Sequence, residues 1–213
     1  MPHRPVFGRD GYPAVTASAW WQPWADVIPS WFTTYLALEQ TASRIGTYEA
    51  QFVPGLFQTA DYARVVISLA HSDPDGIERR VALRQARQRR YLNSAQAPAI
   101  RAVLDDAALT QPALTPGQTR AQLDRLLELT ERPNITIRIV SHKADGHAVR
   151  ESFTILRDMA QSEIVYLEAE DNARYLQEPA DIARYSAIMD RLCTPAEAVE
   201  QTRAAILTIR ESI

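Results

Sequence analysis

The chain has 213 residues, 46% of them hydrophobic and 23% charged, a balance that supports a packed core and excludes a wholly disordered chain. A formal net charge of −3 excludes a global electrostatic pull toward nucleic acid or anionic lipid, and the single cysteine, Cys193, excludes an internal disulfide framework. No run of about eighteen apolar residues is present. No apolar leader follows Met1-Pro2-His3-Arg4 either, so a soluble, cytoplasmic protein without membrane association is expected.

Residues 1–19 are rich in Pro, Gly and small side chains and predict an extended N-terminal arm, which leaves one α+β domain over residues 20–213. Trp20, Trp21, Trp24 and Trp31 then fall within twelve residues. Such rings either dock an N-terminal helix at the core edge or wall a ligand pocket. The stretch Phe52-Val53-Pro54-Gly55-Leu56-Phe57-Gln58-Thr59-Ala60-Asp61-Tyr62-Ala63 predicts a tight turn that opens a helix. Proline fixes φ at position 54, and Gly55 tolerates the positive φ that such turns often need.

Asp73-Pro74 supplies an N-cap and a first-turn proline for a helix running to about Tyr91. Arg80, Arg84, Arg87 and Tyr91 form one stripe of that helix, either a phosphate track or a solvated face paired with surface acids. The acidic balance of the chain favours the second, so no direct nucleic-acid binding is expected. Thr115-Pro116-Gly117-Gln118 is a capping box opening a helix that Arg132-Pro133 stops. Further helices are expected from near Pro179 and, behind a second capping box at Thr194-Pro195-Ala196-Glu197, to the end of the chain.

Between these helices, residues 99–104, 135–140, 152–156 and 163–167 read as strands, with Ala144-Asp145-Gly146 as a turn. Helices before and after a run of consecutive strands predict an α+β fold with a mainly antiparallel sheet flanked by helices, behind the Trp-rich segment.

Strand alternation places Asp106 on the face of Ala102 and Leu104, and Glu168 on the face of Ile164 and Tyr166. If the two acids meet across the sheet, one serves as general acid and the other as general base; otherwise they cap helices or pair with Arg101, Arg138 and Arg174. His142 and His147 lack a matching pair of ligands, and Cys193 reads as a buried small hydrophobe. Seven unclustered glycines form no phosphate loop, so neither a metal nor any other cofactor is expected.

The dodecamer at 52–63 resembles the hallmark of the actinobacterial domain found behind the DNA-binding head of antitoxin-like, Xre-type helix-turn-helix regulators. Tyr35-Leu36-Ala37-Leu38-Glu39 and Arg44-Ile45-Gly46-Thr47-Tyr48-Glu49 are similar to the entry helix and first strand of that family. Arg79 to Gln88 resembles its Arg-rich second helix, and Val103 to Leu109, Glu131 to Ile137 and Val165 to Glu168 resemble its sheet motifs. Glu170-Asp171-Asn172-Ala173-Arg174 departs from the pattern, where small neutral residues are more usual.

The resemblance implies a domain that binds an effector or a small partner protein. Residues 1–19 are too short for a helix-turn-helix, so a module without its own head is expected. Its pocket would lie between the Trp-rich segment and the sheet, with Trp21, Trp24 and Tyr48 as walls and Arg101, Asp106 and Glu168 as polar groups. A homodimer is left open. The alternative is a cofactor-independent biosynthetic cyclase or isomerase in which Asp106 and Glu168 move the proton.

Overall fold

The structure, a computed structural model, describes residues 19–94, 96–110, 113–140, 151–169, 172–193 and 199–213. A short 3-10 stretch, Gln22–Val27, precedes α1 (Ser30–Thr41) and β1 (Ala42–Glu49). A 3-10 turn, Gly55–Phe57, leads into α2 (Ala60–Ser68) and α3 (Pro74–Leu92), then β2 (Ala99–Asp105), α4 (Pro116–Thr130) and β3 (Ile135–Val140). The chain continues through β4 (Phe153–Asp158), β5 (Glu163–Glu168), β6 (Ala173–Leu176), α5 (Pro179–Leu192) and α6 (Val199–Ser212).

Helix starts follow the chemistry of their first residues. The Thr59 side chain accepts from the Tyr62 amide at the head of α2, and Asp73 accepts from the Gly76 amide at the head of α3. Both arms of the Thr115–Gln118 capping box are made. The second capping box at Thr194, the arm over 1–18, the histidine pair 142 and 147, the turn at 144–146 and the acids at 170–171 lie outside the described residues.

The α+β architecture holds, with a refinement: the sheet is mixed, in the order β3-β2-β1-β4-β5-β6. β1 pairs in parallel with β2, and β2 with β3, whereas β1–β4, β4–β5 and β5–β6 are antiparallel. The connections explain the difference. Helices separate β1, β2 and β3 and provide the crossovers that parallel strands need, while short turns join β4, β5 and β6. Because β5 runs with β1, the carboxyl ends of β1, β2, β3 and β5 share one edge of the sheet.

Strand alternation divides the core. Ile45, Ala102, Leu104, Ile137, Leu156 and Tyr166 face Tyr35 and Leu38 of α1, Tyr91 of α3 and Leu123 and Leu126 of α4. On the opposite face, Tyr48, Val103, Phe153, Ile155 and Val165 meet Tyr185 and Met189 of α5. The molecule is therefore layered, with most helices on one side of the sheet and α5 on the other.

The turn at 53–59 runs beneath α3, away from water, so its polar groups must find partners in the protein. Gln88 donates to the carbonyls of Gly55 (2.9 Å) and Gln58 (2.8 Å). Gln122 donates to the Phe57 carbonyl (3.0 Å) and accepts from the Thr59 amide (2.8 Å). The buried Gln58 side chain donates back to the Val53 carbonyl (2.6 Å) and accepts from Arg84 Nη1 (2.5 Å). Gly55 does not take the positive φ expected of it; Pro54 is extended and Gly55 opens the 3-10 turn. A Cβ there would stand 3.4 Å from both Arg84 Nε and Arg87 Nη1, in contact with both side chains.

The arginine stripe is accordingly not a solvated face. Tyr91 is buried, Arg84 is partly buried over the turn, and Arg87 forms a two-pronged ion pair with the buried Glu39 (2.7 and 3.0 Å). The Arg87 guanidinium also lies 5.3 Å from the Phe32 ring centroid and 5.5 Å from that of Tyr35. Removing one partner of such a pair strands the other charge away from water. Arg87→Ala is expected to cost about 3–5 kcal/mol in urea denaturation, and Arg87→Met combined with Glu39→Leu to recover much of that loss.

Candidate functional site

Glu49 ends β1, two residues beyond Thr47 on the face that carries Ile45. Glu168 ends β5 on the face of Tyr166. Register fixes their relation: Thr47 pairs with Thr154, and Thr154 with Tyr166, so Glu49 and Glu168 lie in one row with Ser152 between them. Their Cα atoms are two strand spacings apart, about 10 Å. Arg84 overlooks the same row from α3.

Each of these charges is held by neutral groups. Glu49 accepts from the Thr47 hydroxyl (3.2 Å) and from the Ser152 hydroxyl. Glu168 is exposed at the rim and accepts from the Tyr166 hydroxyl (2.8 Å). Arg84 is tied to Gln58, which is itself tied to the turn. Among the described residues no ion pair joins Arg84 to either carboxylate, although both carboxylates act on it through space.

The electrostatics follow from burial and proximity. Burial pushes the Glu49 carboxyl up to about 7, and the charge of Glu168 pushes the same way, while the Ser152 and Thr47 hydroxyls and Arg84 oppose it. Burial, reinforced by Arg87, brings Arg84 down to about 10, which leaves it charged at neutral pH. Burial and then Glu168 raise the Tyr166 phenol far above its ordinary value, so it stays a donor. The arrangement brings a proton-exchanging carboxyl, a second acid at the rim and a charged guanidinium within electrostatic reach of one another.

The residues proposed from the sequence are distributed differently. Trp21 is buried against Leu36, Ala37 and Leu83, its ring 5.6 Å from that of Trp20, and Trp24 lies 6.3 Å from Trp20. Trp21 and Trp24 pack on the Leu36–Ala37 side of α1 and on Leu83 of α3, while Tyr35 and Leu38 of α1 face the sheet; Trp20 joins the two groups, its ring 6.2 Å from that of Tyr91. Tyr48 is fully buried on the opposite face, under α5. Arg101 pairs there with Asp190 at 3.2 Å, an exposed ion pair of small energetic worth.

Asp106 opens a short 3-10 turn behind β2, and Asp105 caps that turn by accepting from the Ala107 amide. Asp106 and Glu168 do not meet: β1 and β4 stand between their strands, three spacings or about 14 Å. The carboxylate facing Glu168 is Glu49. Alternation from Ile45 through Thr47 could have found it, as an acid on a core-facing strand position beside the turn. Arg84 carried no comparable signal, since one-dimensional helical spacing does not say which face the turn covers.

Among the described residues no group of three His, Cys, Asp or Glu side chains is placed to hold a metal ion, and no helix is long and apolar enough to cross a membrane. The architecture defines an α+β domain whose mixed sheet gathers charged side chains at the carboxyl ends of its strands. Residues 32–208 match the family described as a domain of unknown function (DUF5753), and the chain belongs to that family. No curated protein matches it, and no solved structure does.

Glu49 makes stability depend on pH with a definite sign. Its folded-state value, about 7, lies above the ordinary 4.5, so the folded chain holds the proton that the unfolded chain releases. Stability therefore falls as pH rises from about 4.5 through 7. The full shift corresponds to roughly 3 kcal/mol, which solvent at the open side reduces to about 1–2 kcal/mol. Glu49→Gln is expected to melt with the wild type at about pH 4 and about 2–6 °C above it at about pH 8.5, by calorimetry.

Proposed function

We propose that this chain is a regulatory module that binds a small molecule at the carboxyl edge of its sheet, between Glu49, Arg84 and Glu168. The observation that carries this reading is that three charges within electrostatic reach of one another are each fixed by neutral partners and form no ion pair among themselves. Unlike charges on flexible side chains ordinarily close on one another; here the protein holds them apart and pre-oriented, as a binding site requires.

The resemblance to the domains that follow the DNA-binding head in actinobacterial, Xre-type, antitoxin-like regulators supports a sensory role. In that setting the ligand is an effector or a small partner protein. A small molecule suits the cluster better than a protein surface does, because Glu49 and Arg84 are recessed and only Glu168 stands at the rim.

One observation favours a second reading. A carboxyl that exchanges its proton near neutral pH beside a fixed guanidinium is equipped for acid–base catalysis, with Glu49 moving the proton and Arg84 holding a developing anion. A cofactor-independent cyclase or isomerase would use the same site.

A thermal-shift screen of the full chain against a metabolite library separates these readings. The expected result is a compound that raises the wild-type melting temperature and has no effect on Arg84→Met or Glu168→Gln, without being consumed. Consumption of that compound, lost in Glu49→Gln at a melting temperature no lower than that of the wild type, would replace the regulatory reading by the enzymatic one. Hits that bind all variants equally would contradict both.

A further inference from the structure

The charge arrangement at this edge restricts what the site accepts. On the helix side, among the described residues, Arg84 donates Nη1 to the neutral Gln58 amide oxygen at 2.5 Å and forms an ion pair with neither carboxylate. On the sheet side stand two carboxylates, Glu49 and Glu168, in one register row, on strands separated by β4. The site is thus bipolar, with its two poles on different layers of the fold.

We propose that the ligand is a small zwitterion of the amino-acid class, with its carboxylate on Arg84 and its protonated amine between Glu49 and Glu168. This inference rests on the binding-site reading above and narrows it to one ligand chemistry. The alternatives fail on charge. A phosphate or dicarboxylate would satisfy Arg84 but meet the repulsion of Glu168 and force Glu49 to keep its proton. A simple amine, or a divalent cation, would satisfy the carboxylates and leave the guanidinium desolvated without a counter-charge. A neutral ligand would bury three charges and compensate none. Only a molecule that carries both signs a few bonds apart compensates both poles at once.

Local structure supports the bipolar reading. Glu168 is oriented by the Tyr166 hydroxyl at 2.8 Å, and Glu49 by Thr47 at 3.2 Å together with Ser152, so both carboxylates keep lone pairs free for an ammonium group. The Tyr166 and Tyr35 rings, 4.5 Å apart beneath the row, supply an apolar floor that strengthens charge pairing above it.

The test uses the full chain and three forms of one probe. The twenty free L-amino acids are first ranked by thermal shift. Isothermal titration then compares the best of them with its N-acetyl derivative and with its carboxamide. The free amino acid is expected to bind about tenfold or more tightly than either capped form. Glu168→Gln, at an exposed position where glutamine still accepts from Tyr166, is expected to erase the advantage over the N-acetyl form without lowering the melting temperature. Arg84→Met is expected to erase the advantage over the carboxamide. Equal binding of all three forms, or no response to any amino acid, overturns the zwitterion. If a singly charged or neutral library compound binds instead, and Glu168→Gln abolishes that binding, the site stands and only the ligand class is wrong. If no compound responds to either substitution, the site itself is wrong.

Discussion

The structure depends on how the chain leaves β1. At Val53-Pro54-Gly55 the backbone must pass beneath α3 with its carbonyls away from water, and every buried carbonyl then needs a donor. Gln58, Gln88 and Gln122 provide them, drawn from the turn itself, from α3 and from α4. Arg84 and Arg87 lie over Gly55, where a Cβ would come into contact with both side chains. The hydrogen bonds from Arg84 and Gln88 tie α3 to the turn that follows β1.

The two arginines then diverge in role because their surroundings differ. Arg87 reaches Glu39 and the Phe32 and Tyr35 rings, which compensate its charge internally and lock α1 to α3. Arg84, one turn earlier, finds a neutral amide and has its opposite charges held at a distance by hydroxyl groups. A buried charge compensated at close range serves structure. One whose opposite charges are held off by neutral partners is costly to keep and suited to a ligand.

Much of the fold was legible in the sequence because its signals are local. Capping residues at Asp73 and Thr115 and the alternation of Ile135-Thr136-Ile137 placed helices and strands close to where they stand. The parallel half of the sheet was less visible, since pairing direction is set by crossovers that span dozens of residues. β6 escaped notice because four edge residues carry little periodicity. The candidate site was the least legible part. Tyr48 and Arg101 point to the face under α5 whereas Glu168 lies on the face of Tyr166, so these members of the proposed pocket are separated by the sheet itself. Trp21 and Trp24 gave a strong compositional signal for what turned out to be packing outside α1 and α3. Arg84 and Arg87 share a helix and a residue type, and only the tertiary position of the turn distinguishes them.

The central claim is that Glu49, Arg84 and Glu168 act as one electrostatic unit at the end of β1. Its most direct test is a carbon-13 NMR titration of the Glu49 side-chain carboxyl in the wild type, Arg84→Met and Glu168→Gln. The account predicts a midpoint near 7 in the wild type. That midpoint should fall by about one pH unit when the negative neighbour is neutralised and rise by about as much when the positive one is removed. A Glu49 carboxyl that titrates at its ordinary 4.5 and ignores both substitutions would contradict the account.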